Sequence, residues 1–161
     1  MIILGLDTST TATGWAVLDN KYSGENRLVS SGLIIPPRKL ETIKRINYTL
    51  DGVKSIVEDF KTEYVAIEDM NVIRNKNSLK GLIGLIVAIE LYLDKKDMLY
   101  IEMTPSQWRK IVGIKGKTRD ELKRDSVRYV KEHYNVIVTD DEADAICIAE
   151  AGATLEVKEE Q

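Results

Sequence analysis

Four carboxylates lie at the ends of predicted core elements, where an acidic side chain has a chemical use. Asp7 and Glu68 each follow a short apolar stretch of the kind that forms a buried strand. Asp141 and Asp144 lie three residues apart, so on a helix their side chains share one face. Carboxylate oxygens suit Mg²⁺ and Mn²⁺, and two such ions can activate a water molecule and stabilise a leaving oxygen. The four acids therefore predict a divalent-metal site suited to hydrolysis of a phosphate ester.

Each of these acids can also be interpreted as a structural residue with no catalytic or metal-binding role. Asp7 precedes Thr8 and could form a turn, Glu68 could pair with a lysine, and the acids at 140–144 could begin a helix. Burying an unpaired carboxylate costs several kcal/mol. Because all four acids fall at the ends of core elements, a shared cation explains them better together than these readings do one by one.

The elements that must position these side chains are three closely spaced strands, followed by alternating helices and strands. Such tight spacing is typical of an antiparallel meander, and the later alternation adds parallel strands. We therefore expect an α/β fold with a mixed five-stranded sheet and helices on both faces. The predicted strands are Ile2–Asp7, Thr13–Asp19, 27–35, Tyr64–Glu68 and 98–103. The predicted helices are 38–60, 77–93, a short one beginning at Pro105, 118–134 and one beginning near Asp140.

Composition limits the class of protein. The chain has 161 residues, 43% hydrophobic and 30% charged, and we expect one domain at 1–155 followed by a short acidic tail at 156–161. The single cysteine, Cys147, excludes a disulfide framework, and the single histidine, His133, excludes mechanisms that need two. No apolar run reaches the ~18 residues that span a bilayer, so membrane association is not expected. The apolar stretch from Met1 to Leu6 has neither the basic lead nor the cleavage site of a signal peptide, so none is expected.

The formal net charge of −3 is unevenly distributed along the chain. Residues 140–161 carry −7 and residues 1–139 carry +4, with +6 between residues 103 and 131. A basic run alone also fits a solvated helix face. Local basic surfaces nevertheless set affinity for a polyanion, so the total does not exclude nucleic acid as a partner.

Six short motifs follow one another along the chain in a familiar order. They are ILGLDTSTTATGWAV at 3–17, VAIE at 65–68, NKNS at 75–78, TPS at 104–106, VGIKGK at 112–117 and DEADA at 141–145. The ordered set resembles the RuvC-type Holliday junction resolvases of the ribonuclease H-like superfamily, and the short chain most resembles their phage-encoded members.

This resemblance implies a homodimeric, Mg²⁺-dependent endonuclease that nicks paired strands of a four-way DNA junction, with Mn²⁺ as a substitute and two ions in each active site. Asp7, Glu68, Asp141 and Asp144 would be its metal ligands and catalytic carboxylates. Lys115 and Lys117 are both candidates for the family's catalytic lysine. We expect DNA contacts from the basic residues Arg74, Lys76, Lys80, Lys115, Lys117, Arg119 and Lys123.

Several positions depart from the family pattern or add to it. Asn71 stands where the family often has an aromatic residue that stacks on an unpaired base, so relaxed specificity for branched DNA is expected. Asp140 and Glu142 add acids that could substitute for or assist Asp141. Trp108 is interpreted as a core residue, and His133 as a surface residue outside the motif.

The helix at 77–93 is apolar nearly all round, more than one sheet face can use. It could be buried within the chain. Alternatively it forms a self-complementary dimer interface, in which Gly81 and Gly84 would permit close approach of a second copy.

The main hypothesis is therefore a structure-selective DNA endonuclease that acts in recombination and repair, in a bacterial or phage-infected cytoplasm. Two alternatives stay open: a ribosomal-RNA-processing nuclease of the same superfamily, and a branched-DNA-binding module that does not cleave. The four intact carboxylates argue against the second. Residues 7–14 also resemble the phosphate loop of sugar-kinase-like phosphotransferases, but such an enzyme would need two domains of this kind.

Overall fold

The computed structural model describes the backbone of residues 1–69 and 76–159 and the side chains of 1–69 and 79–156. The strands are β1 (Ile2–Asp7), β2 (Thr13–Asp19), β3 (Leu28–Ile34), β4 (Tyr64–Glu68) and β5 (Leu99–Met103). The helices are α1 (Thr42–Phe60), α2 (Lys76–Asp94), α3 (Pro105–Val112), α4 (Arg119–Tyr134) and α5 (Asp140–Glu159), with a 3₁₀ turn at Gly24–Arg27. Asn71, Arg74 and the side chain of Lys76 lie outside the described residues.

The five strands form one sheet in the order β3-β2-β1-β4-β5. The pairs β1–β2 and β2–β3 are antiparallel, whereas β1–β4 and β4–β5 are parallel. The predicted mixed sheet, a meander extended by two parallel strands, is therefore confirmed. The parallel arrangement brings the carboxyl ends of β1, β4 and β5 to one edge of the sheet.

Alternation along the strands divides the core into two layers. Leu4 and Leu6 face α1 and α2, in a cluster with the buried side chains of those helices. Ile3 faces the opposite side, where it joins a cluster built on α3, α4 and α5. Helices thus cover both faces of the sheet, as predicted.

Helix α5 packs against the sheet with almost no space between the backbones. A Cβ added to Gly5 in β1 would stand 2.2 Å from the carbonyl oxygen of Ala145, and one added to Gly14 in β2 would stand 2.2 Å from that of Asp141. Such distances are far below van der Waals contact, so no larger residue fits. The two glycines therefore allow the acidic start of α5 to reach the end of β1.

The structure differs from the sequence-based expectation at the start of α1, the start of β3 and the end of α5, and the other predicted boundaries agree to within one residue. Helix α1 begins at Thr42 rather than at residue 38, because residues 38–41 form a turn whose carbonyls at Arg38 and Leu40 accept hydrogen bonds from the Arg45 guanidinium. Strand β3 begins at Leu28, because Gly24–Arg27 forms the 3₁₀ turn. Helix α5 continues to Glu159, through part of the expected acidic tail.

The expectation that the α2 glycines permit close approach of a second copy is wrong, because both face the chain's own residues. A Cβ on Gly81 would meet Thr42 and Thr10, and one on Gly84 would meet Ile46. Both glycines therefore allow close packing of α2 within its own chain. None of the helices in the described residues is both long and apolar enough to cross a membrane.

Candidate active site

Asp7 and Glu68 end the adjacent parallel strands β1 and β4. Leu6 pairs with Ile67, so each acid lies one residue beyond the last pair of the β1–β4 ladder. By alternation both acids project to the α5 side of the sheet, as Gly5 and Ala66 do two residues earlier. The two carboxylates therefore meet at the same edge and on the same face.

Asp141 and Asp144 come to this edge from the first turns of α5. Asp144 is only 4% exposed, and its Oδ1 has no hydrogen-bond partner among the described residues. Burial raises the pKa of Asp144, and the side chain of Ser126 in α4 lowers it in part. A buried carboxylate oxygen left without a donor needs another positive partner.

The four carboxylates influence one another electrostatically. Burial, followed by the charges of Glu68, Asp144 and Asp141, raises the pKa of Asp7 from 3.8 to about 8. Burial also raises the pKa of Glu68, with Asp144 adding to the rise. Raised carboxyl pKa values mean that the ionised site lacks compensating positive charge, which a divalent cation would supply.

Trp108 connects the core to this group of acids. Its indole Nε1 donates a hydrogen bond of 2.6 Å to Oε2 of Glu68, although the ring itself is completely buried. The guanidinium of Arg109 lies 4.7 Å from the centre of the Trp108 ring and lowers the pKa of both Glu68 and Asp144.

The sequence-based interpretation of Trp108 as a core residue is correct, because its ring is buried. That interpretation does not include its hydrogen bond to Glu68. Arg109 contributes to the positive charge between residues 103 and 131, but the sequence analysis does not predict it as a site residue. The signal for both was the position of Pro105, which begins α3 directly after β5 and so at the same sheet edge.

Lys123 of α4 lies between two acids at the start of α5. Its Nζ is 2.5 Å from Oδ2 of Asp140 and 2.8 Å from Oδ1 of Asp141. Burial lowers the pKa of Lys123, but its bonds to the two acids outweigh burial and raise the pKa to about 12. The same contact lowers the pKa of Asp140.

The acids and several basic residues line one open cleft of about 790 Å³. Of the predicted site residues, the cleft contains Asp7, Glu68, Asp141, Asp144, Lys117, Arg119 and Lys123. Within the described part of the chain, Lys115 and Lys80 do not line it. Arg109 and Asp140 line the cleft in addition. The floor is therefore acidic and the walls carry cations.

The loop before α4 determines which lysine faces the cleft. The backbone N–H of Lys115 donates to Oδ2 of the buried Asp125 at 2.7 Å. The backbone N–H groups of Lys117 and Thr118 donate to Oε2 of Glu121, within the capping box that begins α4. This arrangement leaves the Lys117 side chain at the cleft.

The two acids that flank Asp141 have different roles. Glu142 accepts a hydrogen bond from the Ser31 hydroxyl and caps the start of α5 through Thr139, so it is directed away from the cleft. Asp140 lines the cleft and binds Lys123.

His133 is exposed and stacks on Tyr129, as expected for a surface residue.

The donor set fits a hard divalent cation, because it offers carboxylate oxygens, one of them buried and without a donor. As the side chains stand, no three acidic, cysteine or histidine side chains of the described residues are grouped so that they could hold an ion. One carboxylate oxygen of each of two acids already accepts a hydrogen bond, Glu68 Oε2 from Trp108 and Asp141 Oδ1 from Lys123. Binding an ion therefore requires these side chains to converge.

Known proteins share this arrangement of elements. A relative described as crossover junction endodeoxyribonuclease RuvC in Rickettsia bellii is 29% identical over 151 residues, covering 92% of this chain and 94% of its own. Its counterpart in Fusobacterium nucleatum is 27% identical over 155 residues, covering 92% and 77%. In fold, the chain resembles the structure "T. thermophilus RuvC in complex with Holliday junction substrate", with a TM-score of 0.81, 16% identity and coverage of 98% and 96%.

The family match extends over most of the domain that carries the cleft. The family model described as "Crossover junction endodeoxyribonuclease RuvC" matches residues 3–151, which include all five strands except Ile2, the first residue of β1, and all four carboxylates. The chain therefore belongs to the RuvC family of crossover junction endodeoxyribonucleases.

Proposed function

We propose that the protein is a metal-dependent DNA endonuclease that resolves four-way junctions by paired nicks through phosphodiester hydrolysis. The observation that carries this proposal is that Asp7, Glu68, Asp141 and Asp144 all line one open cleft that basic side chains line as well. Membership of the RuvC family supports it, as does the Holliday junction substrate named for the T. thermophilus relative.

The four carboxylates would hold the metal ions. We expect Mg²⁺, replaceable by Mn²⁺, and two ions per site, because four acids offer more oxygens than one octahedral ion needs from protein. When bound, such ions supply an activated water and stabilise the charge on the leaving oxygen.

The chain's own side chains would prepare the site for that chemistry. Trp108 holds one oxygen of Glu68 in place, and Ser126 favours the ionised form of Asp144 by lowering its pKa. Arg109 and Lys117 line the cleft and would neutralise the phosphate that enters it. Between the two candidate lysines, the geometry favours Lys117 as the catalytic lysine, because it lines the cleft.

The DNA would lie across the basic surface around the cleft. Lys117, Arg119 and Lys123 are at the cleft, and the exposed Lys80 on α2 and Lys115 before α4 would extend the surface. Arg74 and Lys76 are proposed as further contacts on the basis of sequence. Such contacts to phosphates position DNA without recognising its sequence.

A homodimer would give the protein two active sites for the two strands that must be cut. The outer face of α2 exposes Ile83, Val87 and Leu91, which recur every four residues and are 45%, 43% and 56% exposed. On the edge strand β5, Leu99 and Tyr100 are exposed as well. We propose that a second copy covers this apolar surface, since an isologous contact related by a twofold axis matches the symmetry of a junction.

The remaining expectations follow from the same proposal. Residues 1–155 would form a single nuclease domain, working in the cytoplasm on branched DNA. The chain would tolerate several branched substrates, because Asn71 offers no aromatic ring for stacking on a base.

A panel of labelled DNA substrates tests the proposal. The protein is incubated with Mg²⁺ and a four-way junction, a three-way junction, a flap, a linear duplex or a structured RNA. We expect nicks in the four-way junction, weaker cleavage of other branched DNA, and none in the linear duplex. Preferential cleavage of RNA would favour the ribosomal-RNA-processing alternative, and binding without cleavage would favour the binding module.

Asp7→Asn provides the matched control for that panel. The substitution removes a charged ligand while keeping the shape of the side chain. We expect cleavage to fall by more than about a hundredfold, beyond the loss typical for partners outside the ligand shell, while junction binding is largely retained.

A further inference from the structure

Among the described residues, the ammonium of Lys123 is the one cation that contacts both Asp140 and Asp141 at the start of α5. Its side chain is only 21% exposed, and it crosses from α4 to reach Asp140 and Asp141. Its charge also lowers the pKa of Asp7, Glu68 and Asp144. The ammonium thus acts on every acid of the site.

The contact uses an oxygen that a metal ion would need. Oδ1 of Asp141 accepts a hydrogen bond from Lys123 at 2.8 Å, so this oxygen is not available to an ion while the bond persists. An ammonium and a divalent cation at one carboxylate oxygen repel each other and compete for the same lone pairs.

Asp140 is a second hydrogen-bond partner for the Lys123 ammonium. Its Oδ2 is 2.5 Å from Lys123 Nζ, while its Oδ1 accepts a hydrogen bond from the backbone N–H of Asp141. Asp140 is therefore held at the helix start independently of Lys123. With Asp140 retained as a partner, Lys123 can leave Asp141 without becoming an unpaired charge, which in a partly buried position would be costly.

Resting on the metal site proposed above, we propose that Lys123 is the resident counter-cation of that site: it neutralises Asp141 in the metal-free protein and moves to Asp140 alone when a divalent ion binds. Asp140 is then the anchor that keeps the lysine at the cleft. The role goes beyond a phosphate contact, because it predicts an effect on metal binding in the absence of DNA.

The test measures the affinity for Mn²⁺ by calorimetry on the DNA-free protein. Lys123→Met removes the charge and keeps the length of the side chain. We expect Mn²⁺ to bind roughly tenfold more tightly, because one nearby positive charge is removed from the site. Lys123→Gln serves as a second neutral variant should the methionine protein fold poorly, and the same direction is expected.

Two charge controls make the result specific. Lys131→Met changes the net charge equally from the exposed far end of α4, where Lys131 binds Asn135, and should leave the affinity unchanged. Lys123→Arg retains the charge and should stay close to wild type. A second readout is the melting temperature in EDTA, which should fall more for Lys123→Met than for Lys131→Met and recover with Mn²⁺.

Three outcomes would overturn the inference. Weaker Mn²⁺ binding by Lys123→Met would mean that the lysine positions Asp141 as a ligand instead of competing for it. An effect equal to that of Lys131→Met would mean that only long-range charge acts. Wild-type protein that binds no Mn²⁺, or Asp144→Asn that binds it normally, would overturn the proposed metal site itself and this inference with it.

Discussion

The indole nitrogen of Trp108 and the carboxylate of Glu68 are joined by a hydrogen bond of 2.6 Å. Because the Trp108 ring is completely buried, this bond fixes one oxygen of a proposed metal ligand to the rigid core. It also lowers the pKa of Glu68 against the rise caused by burial. Supporting contacts of this kind typically change metal affinity by roughly ten- to a hundredfold.

Trp108→Phe should therefore weaken metal-dependent cleavage. An aromatic ring remains, smaller than the indole, but the N–H donor is lost, so Glu68 is less well oriented and its pKa rises further. We expect the Mg²⁺ concentration for half-maximal cleavage to increase about tenfold or more. Cleavage assays over a range of Mg²⁺ concentrations measure this shift.

Trp15→Phe is the matched control for that experiment. Trp15 lies in β2 and packs against Phe60 on the other layer of the core. The same loss of ring volume there should reduce stability without changing the Mg²⁺ requirement. An equal shift in both variants would mean that packing, and not the bond to Glu68, determines the metal dependence.

The metal-free protein should lose stability as the pH rises. The folded state raises the pKa of Asp7 from 3.8 to about 8, so it binds the proton more tightly than the unfolded chain does. The stabilising contribution of protonated Asp7 is complete below about pH 4 and lost as the pH rises through about 8. Urea unfolding in EDTA across this range measures the loss.

Asp7→Asn isolates the contribution of Asp7 to that pH dependence. The amide does not ionise, so the fall in the free energy of unfolding between pH 5 and pH 8 should become shallower than in wild type, by the share that Asp7 contributes. Glu68 and Asp144 also have raised pKa values and will retain part of the slope. Identical slopes for the two proteins would contradict the assigned pKa of Asp7.

The two candidate lysines should differ in their effect on catalysis. Lys117 lines the cleft, whereas the backbone of Lys115 is bound to Asp125 and its side chain is exposed outside the cleft. We expect Lys117→Ala to lower the single-turnover cleavage rate by roughly a hundredfold and Lys115→Ala by less than about threefold. A larger loss for Lys115→Ala would reverse the assignment.

A charge on the exposed face of α2 should dissociate the proposed dimer. Val87→Asp places a carboxylate at the centre of the Ile83–Leu91 stripe, where it would be buried without a partner in the dimer. We expect the dissociation constant to rise by at least about a hundredfold, measured by analytical ultracentrifugation. Ile43→Asp, at a 65% exposed position on α1, should leave the assembly unchanged.

The sequence predicted the order of strands and helices well, because hydrophobic periodicity and turn residues are local. It also located the four carboxylates, since each one ends or begins a core element. The acidic edge follows from the parallel pairing of β1 and β4, which agrees with the parallel strands expected from the alternation of helices and strands.

Contacts between distant elements could not be predicted in the same way. Nothing local to Trp108 indicates that its N–H reaches Glu68, forty residues earlier, and nothing local to Lys123 indicates that it binds acids in α5. Whether Gly81 and Gly84 face their own chain or a second copy also depends on the packing of α1 against α2. These relations arise from tertiary packing, which residue spacing along one chain does not encode.

Coordinated cleavage of a supercoiled plasmid that extrudes a cruciform tests the central claim most directly. A dimer that nicks both strands within one encounter will convert the plasmid to linear DNA before nicked circles accumulate, and Asp144→Asn will leave it supercoiled. Nicked circles as the main product at early times, or full activity in Asp144→Asn, would contradict a dimeric, carboxylate-dependent junction-resolving endonuclease.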